Sequence, residues 1–594
     1  MRKLAAGALC AALMLAASPA GSASAPARPW WQTGLIYEIY PRSFGDSNGD
    51  GIGDLNGITR HLDYLQWLGV GAVWLAPMFP SPQVDFGYDI SDYKAVDPAY
   101  GTLADFDRMQ KDASRRGIRV ILDLVLNHSS DRHAWFVESA SSRTNPKADW
   151  YMWNDGVAAD APDLGVVQKG NMHDGRAPPN NWTSVFGGSA WEWVPARRQF
   201  YYHRYYVQQP DLNWRNPAVE KAIFDVMRFW LDRGVAGFRL DAVGAMFEDP
   251  KLPNEPETGS LDAYGLPGLR HIYTSTPEVH DVMRRMRKLV DSYPGNRMLL
   301  GETNTPDMAT LRAWYGSDKG PELHLAMDLA MGSGQAARYT PAYFRPMLKS
   351  AQTELGGALP NFVFDNHDRP RSIDRFGDGD HDMAIAKGLA AILMTSRASA
   401  LTYYGAEIGM RTRTPTRKED VRDPIGVRGW PNEKGRDGER TPMQWTSGPG
   451  AGFTTNPKPW LPLDPDPKAV NVAAERADPS SLLNWYRTLA HLRLTTPALR
   501  DGTTSFAEDY VEWLTPPLPD GTPSFVTEGD PEVLAWVRTA PDKSRVAVAI
   551  NMGGKPRELA LPGAPGKTLA ASGGVVAGLT VKLEPFGVWI GALR

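Results

Sequence analysis

Between Leu35 and Gly405 eight short apolar segments alternate with amphipathic stretches, and this alternation constrains the fold more than any other feature. The segments are Leu35–Phe44, Ala72–Pro77, Arg119–Asn127, Gly237–Ala242, Met298–Thr303, Leu323–Leu329, Asn361–Asp368 and Ala400–Gly405. Between them lie helical patterns such as Leu103–Arg116 and Pro217–Asp232. In the second, Val219, Ile223, Val226, Met227 and Trp230 recur on one face. Neighbouring parallel strands cannot be joined by a tight turn, so each needs a crossover, usually a helix. Eight such units predict an α/β fold closed into a (β/α)8 barrel rather than an open sheet.

Two stretches break the rhythm. Residues 129–210 are rich in Trp, Tyr, Asn, Gly and Pro with little helical period, and read as a subdomain inserted after the third strand. Arg411–Gly438, after the eighth strand, is irregular and carries many charges and prolines. The barrel is therefore expected over 29–128 and 211–504. From about 505 to 594 the pattern becomes that of half-buried strands, as in Leu534–Arg538 and Val546–Ile550, and predicts an antiparallel β domain. A chain of 594 residues is too long for one core, so several domains are natural.

Lys plus Arg number 64 against 68 Asp plus Glu, which leaves no basic surplus for nucleic acid or a membrane surface. The N-terminus reads as an address label. Arg2 and Lys3 precede the apolar run Leu4–Ala17, which is too short to span a bilayer. Small residues follow, with cleavage points at Ala20, Ala23 or Ala25, the last made awkward by Pro26. A signal peptide over 1–25 and export to the periplasm or medium are expected. The single cysteine, Cys10, lies inside that segment. Assembly as a monomer or a homodimer is expected.

Polar residues gather where the strands end: Asp123 with Asn127-His128, Arg239 with Asp241, Glu302, and Asp365-Asn-His367-Asp368. In a barrel those ends carry the functional side chains. Strand alternation puts Arg239 and Asp241 on one face, and an Arg beside a carboxylate favours its ionised form. One ionised carboxylate and one proton-holding carboxyl on neighbouring strands are what glycosidic cleavage requires. Upstream, Asp46-Ser-Asn48-Gly-Asp50-Gly-Ile52-Gly-Asp54 spaces oxygen donors at alternate positions, as a hard cation such as Ca2+ needs. Gly57 at the twelfth position and a preceding strand argue against an EF-hand.

The segments Asp123–His128, Gly237–Asp241, Gly301–Glu302 and Phe364–Asp368 resemble the four signature regions of the α-amylase family of glycoside hydrolases. The resemblance runs from Trp30 onward and implies the same barrel, insert and C-terminal β domain. It implies Asp241 as nucleophile, Glu302 as general acid/base and Asp368 as the third acid holding sugar hydroxyls. It implies Arg239 as the group orienting Asp241, and His128 and His367 as hydroxyl ligands, while Asp123 reads as a structural partner of Arg239. Gln209–Asn213, Asp85–Asp89 and Arg440–Trp445 resemble segments of the oligo-1,6-glucosidase and α-glucosidase branch. That likeness implies that Asp85 and Arg440 clamp a terminal glucose on which Tyr88 stacks. It also implies one structural Ca2+ held by Asp46, Asn48, Asp50, the Ile52 carbonyl and Asp54. Branch members with Val after the nucleophile favour α-1,6 bonds, and Ala or Thr goes with α-1,4. Ala242 therefore implies a preference for α-1,4 links, and the resemblance as a whole implies a retaining, exo-acting α-glucosidase for short maltose-like α-glucosides, with transglucosylation open. An α-1,6-specific glucosidase or an isomerase of the same branch is the alternative.

Overall fold

The computed structural model describes residues 28–270, 277–333, 338–464, 467–468, 470–506 and 531–594. The expected signal segment and Cys10 lie outside the described residues. Eight parallel strands close into a barrel: β1 Leu35–Ile39, β2 Val70–Leu75, β3 Arg119–Val125, β4 Gly237–Asp241, β5 Met298–Gly301, β6 Leu325–Asp328, β7 Asn361–Val363 and β8 Ser399–Tyr403. Closure is made by β8 against β1, with Leu35 opposite Ala400. The first strand is shorter than its apolar run predicts. Pro41, lacking an amide hydrogen and held near helical φ, starts a helical turn over Pro41–Phe44 instead.

Period-two alternation sends one set of side chains inward. At the lower level these are apolar: Ile36, Ala72, Ile121, Met298, Leu325 and Leu401 form one buried cluster. Two residues further along, the same faces of β1, β3 and β4 carry Glu38, Asp123 and Arg239, each almost fully buried. The interior thus changes from hydrocarbon to ions towards the C-terminal end. Gly237 has a positive φ of 154°, and a Cβ there would meet the Met298 carbonyl at 2.1 Å. Only glycine lets β4 approach β5 this closely, which brings Asp241 and Glu302 onto adjacent staves.

After β3 the chain leaves the barrel and returns with its two ends side by side. His128 bridges Asp211, and the Leu212 amide donates to the Asn127 carbonyl at 2.9 Å. The excursion holds a small antiparallel sheet, Trp153–Asn154, Gln199–Tyr202 and Trp191–Val194, packed on its own core of Trp182, Trp191, Trp193 and Phe200. Beyond the barrel lies an antiparallel sheet of β9 Thr503–Phe506, β10 Val533–Thr539, β11 Arg545–Asn551, β12 Arg557–Ala560, β13 Pro565–Ala577 and β14 Thr580–Leu593. Among the described residues no helix is long and apolar enough to cross a membrane.

Candidate active site

A cavity of about 820 Å³ opens at the C-terminal end of the barrel, and Asp85, Tyr88, His128, Asp241, Glu302, His367 and Asp368 all line it. Arg239 stands beneath it, fully buried. One of its terminal nitrogens, Nη1, donates to both oxygens of Asp123 at 3.0 and 3.1 Å and to Asp241 Oδ1 at 2.6 Å. The other, Nη2, is 2.9 Å from Glu302 Oε2. Ala242 turns the chain in a left-handed conformation (φ 46°), and its amide donates to the same Glu302 oxygen at 3.0 Å. Asp123 also accepts from Trp74 Nε1 and the Tyr88 hydroxyl.

One guanidinium therefore faces three carboxyls. Burial pushes Asp241 well above the usual carboxylate range, and Glu302 and Asp123 add to this against the pull of Arg239. Burial likewise raises Asp123 to about 6. Arg239 pulls Asp241 towards its ionised form, as the sequence reading expects, but it does so against burial and two neighbouring carboxyls.

Elsewhere in the cavity lining Asp85 and Asp368, with Asp423 behind them, meet two arginines. Arg436 reaches Asp85 Oδ1 at 2.7 Å, Asp368 Oδ1 at 2.9 Å and Asp423 Oδ2 at 2.7 Å. Arg440 donates from Nη2 to Asp368 Oδ1 at 2.8 Å and from Nε to the His367 carbonyl at 2.8 Å. The pairing read from the sequence is corrected here. The partner of Asp85 is Arg436, while Arg440 is turned under the floor, fully buried, with its guanidinium over the Tyr40 ring. Arg436 lies four positions before the Arg440–Trp445 segment, in the irregular stretch Arg411–Gly438, and spacing alone does not tell which of the two arginines rises into the cavity. Burial opposes ionisation of Asp368, yet His367, Arg436 and Arg440 outweigh it and hold the carboxyl far below its ordinary range. Asp423 is lowered to about 2 by the same arginines against its burial. For Asp85, burial prevails over Arg436 and the shift is upward.

Tyr88, His128 and His367 also line the cavity, with partners that sequence does not show. The Tyr88 ring stacks on His367 at 5.2 Å. Gln209 bridges the clamp to the third-strand motif, donating to Asp85 Oδ2 at 3.1 Å and lying 3.1 Å from His128 Nε2. Burial lowers both His128 and His367 to about 3, so neither ring is charged at neutral pH. A hairpin of Glu257–Leu261 and Pro267–Leu269 hangs at the cavity mouth, where Asp262, Tyr264 and Leu269 line the wall.

The acidic loop lies apart from the cavity lining. Its oxygens close the loop on itself. Asp46 accepts from the amides of Asn48, Gly49 and Gly51 and from the Thr454 hydroxyl. Asp50 accepts from Ile52, and Asp54 caps the next helix by accepting from Gly57. Among the described residues no three His, Cys, Asp or Glu side chains converge as a ready metal cluster. The donor set is nevertheless all oxygen, three carboxylates and one amide, the chemistry a hard cation takes.

A parallel barrel carrying acids at the ends of β4 and β5 defines a class. Residues 38–502 match the catalytic domain of α-amylase, and the chain belongs to that family. A probable α-glucosidase of Rhizobium meliloti (strain 1021) is 42% identical over 494 residues, 81% of this chain and 86% of the relative. An oligo-1,6-glucosidase of Parageobacillus thermoglucosidasius is 37% identical over 552 residues, 88% of this chain and 90% of the relative. Among solved structures, an α-glucosyl transfer enzyme, XgtA, is 39% identical with a TM-score of 0.81, covering 96% of this chain and all of that one. The trehalulose synthase MutB of Pseudomonas mesoacidophila MX-45 is 32% identical with a TM-score of 0.82 at 96% and 100% coverage.

Proposed function

We propose that this protein is an exo-acting, retaining α-glucosidase that releases glucose from the non-reducing end of short α-glucosides, with α-1,4 links of the maltose type preferred. The observation that carries the reading is the closed end of the pocket. Asp85, Arg436 and Asp368 are joined in one ionic network lining the same cavity as Asp241 and Glu302, which supports a pocket blocked at one end and suited to a terminal sugar. In the reaction Asp241 attacks the anomeric carbon while Glu302 protonates the leaving oxygen. Glu302 then takes the proton of the incoming water, and configuration is retained. A retaining pair stands about 5 to 5.5 Å apart. The bridging of both carboxyls by the two ends of one guanidinium supports that close class. Ala242 supports the α-1,4 preference, and the hairpin at the mouth supports short substrates.

Product analysis with maltose, isomaltose and sucrose tests the proposal. Free glucose, faster from maltose than from isomaltose, is expected. A rearranged disaccharide from sucrose, the type of product the trehalulose synthase neighbour is named for, would replace hydrolysis by isomerisation. Glucosyl transfer to a second sugar at high substrate is the branch that XgtA's name brings to mind.

The same reading includes one structural Ca2+ on Asp46, Asn48, Asp50, the Ile52 carbonyl and Asp54, supported by the oxygen donor set, and export to the periplasm or medium, supported by the N-terminal pattern. Chelation is expected to lower the melting temperature by about 1 to 2 °C, on the order of 1 to 2 kcal/mol for a chain of this size, with recovery on adding Ca2+. An unchanged melting curve for Asp50→Ala with and without chelator removes the ion from the proposal only if the unaltered protein is also insensitive.

A further inference from the structure

Below the pocket floor the β1 carboxyl of Glu38 is fully buried and plays no part in the chemistry above. Its Oε1 lies 2.6 Å from Nδ1 of His367. Its Oε2 has no hydrogen-bond partner among the described residues. The other ring nitrogen, Nε2, is 3.2 Å from Asp368 Oδ2. The ring between them is held in place by stacking on Tyr88 at 5.2 Å and Tyr40 at 5.8 Å.

Counting hydrogens along this line gives one consistent arrangement. Asp368, ion-paired with Arg436 and Arg440, is acceptor-only, so Nε2 must carry a hydrogen. A neutral imidazole has a single N–H, which leaves Nδ1 as a bare lone pair. Glu38 Oε1, facing that lone pair, must then be the donor. The orphaned Oε2 agrees. The carbonyl of a neutral acid survives burial without a partner far better than half of an ionised carboxylate does. The electrostatics agree as well. Burial pushes Glu38 well above the usual range, with Asp368 and Asp123 adding to it and Arg239 opposing, while burial keeps the His367 ring neutral.

We propose that Glu38 is a positioning residue, held as a neutral carboxylic acid whose hydrogen locks His367 in the tautomer that aims Nε2–H at Asp368 and at a hydroxyl of the bound sugar. The second half rests on the glucosidase reading; the tautomer does not. Without that hydrogen, the ring is free to take the Nδ1–H form. A lone pair would then face the Asp368 carboxylate, and the sugar would lose its donor. Glu38 thus acts on substrate only through His367, from a buried position on β1 behind that ring.

The experiment has two arms. In protein labelled with 15N at its 11 histidines, His367 is assigned by comparison with His367→Gln. The expected spectrum at neutral pH shows hydrogen on Nε2 and none on Nδ1. Hydrogen on Nδ1, alone or with Nε2, overturns the proposal, and this arm stands even if no α-glucoside is turned over. In the second arm, Glu38→Leu is expected to lower kcat/KM about 10- to 100-fold, the loss of one buried donor. Glu38→Gln, whose amide N–H replaces the acid hydrogen, is expected to recover most of that loss and to keep the tautomer. A Gln variant as impaired as the Leu variant overturns the positioning role. Should Glu38→Leu not fold, the ring spectrum of Glu38→Gln decides in its place: a shift of the hydrogen to Nδ1 refutes the lock.

Discussion

The two ionic clusters beside the cavity are built from nearly the same residue types, yet burial and charge shift most of their carboxyls in opposite directions. On the catalytic wall Asp123, Asp241 and Glu302 share the single cation Arg239, and burial with mutual repulsion drives Asp123 and Asp241 towards their protonated forms. On the clamp wall Asp85, Asp368 and Asp423 share Arg436 and Arg440, and two of the three carboxyls are held below their ordinary range. One additional guanidinium makes the difference. The lesson concerns arithmetic more than identity. A surplus of carboxyls around one cation weakens that cation's hold on each of them. A near-balanced set keeps fixed negative charge to grip hydroxyls through hydrogen bonds.

That contrast can be broken from either side. The largest effect belongs to Asp241→Asn, which removes the attacking oxygen while keeping shape and the Arg239 contact. Turnover of maltose should fall by about 10⁴-fold or more, with an unchanged circular dichroism spectrum. Substantial residual activity would transfer the nucleophile's role elsewhere. Arg436→Gln comes next, since it leaves Arg440 alone against three carboxyls. A loss of about 10²-fold in kcat/KM on maltose is expected, about 3 kcal/mol, carried by both KM and kcat because Asp368 is also released. Arg440→Gln should instead cost fold stability more than substrate affinity, because its side chain lies under the floor.

The smallest effect is on stability against pH, and the two walls should differ in sign. Asp423 has a depressed pKa of about 2, so its contribution is fully present above the unfolded value near ~4 and is lost as pH falls towards 2. Asp123 is raised to about 6, so its contribution is present below ~4 and is lost as pH rises through 6. Melting temperatures measured from pH 3 to 8 should therefore show a maximum on the acid side of neutrality. Asp123→Asn should flatten the decline between pH 4 and 6, and an unaltered slope would remove Asp123 as its source.

Much of this was legible before any coordinates. The eight apolar segments became the eight staves because apolar side chains at period two or in short buried runs leave a strand few other places to go. The acids at strand ends were legible for the same reason, since alternation carries Arg239 and Asp241 inward together. The strand over Leu35–Phe44 ends early at Ile39 because the segment itself contains Pro41, which cannot continue the ladder of hydrogen bonds. Arg436 is not legible in this way because it lies outside the Arg440–Trp445 segment, and which of the two neighbouring arginines rises into the cavity is settled by Asp423 in the same stretch and by Asp85, 351 positions away.

The sequence alone thus determined the periodicity, the strand ends and the inventory of charged groups, since these are local properties of neighbouring residues. Tertiary structure alone decided how those charges are shared: three carboxyls on one guanidinium, three on two others, and Glu38 placed behind His367 across a separation of 329 positions. Proton occupancy depends on distance and burial in space, and neither is written in the order of the chain.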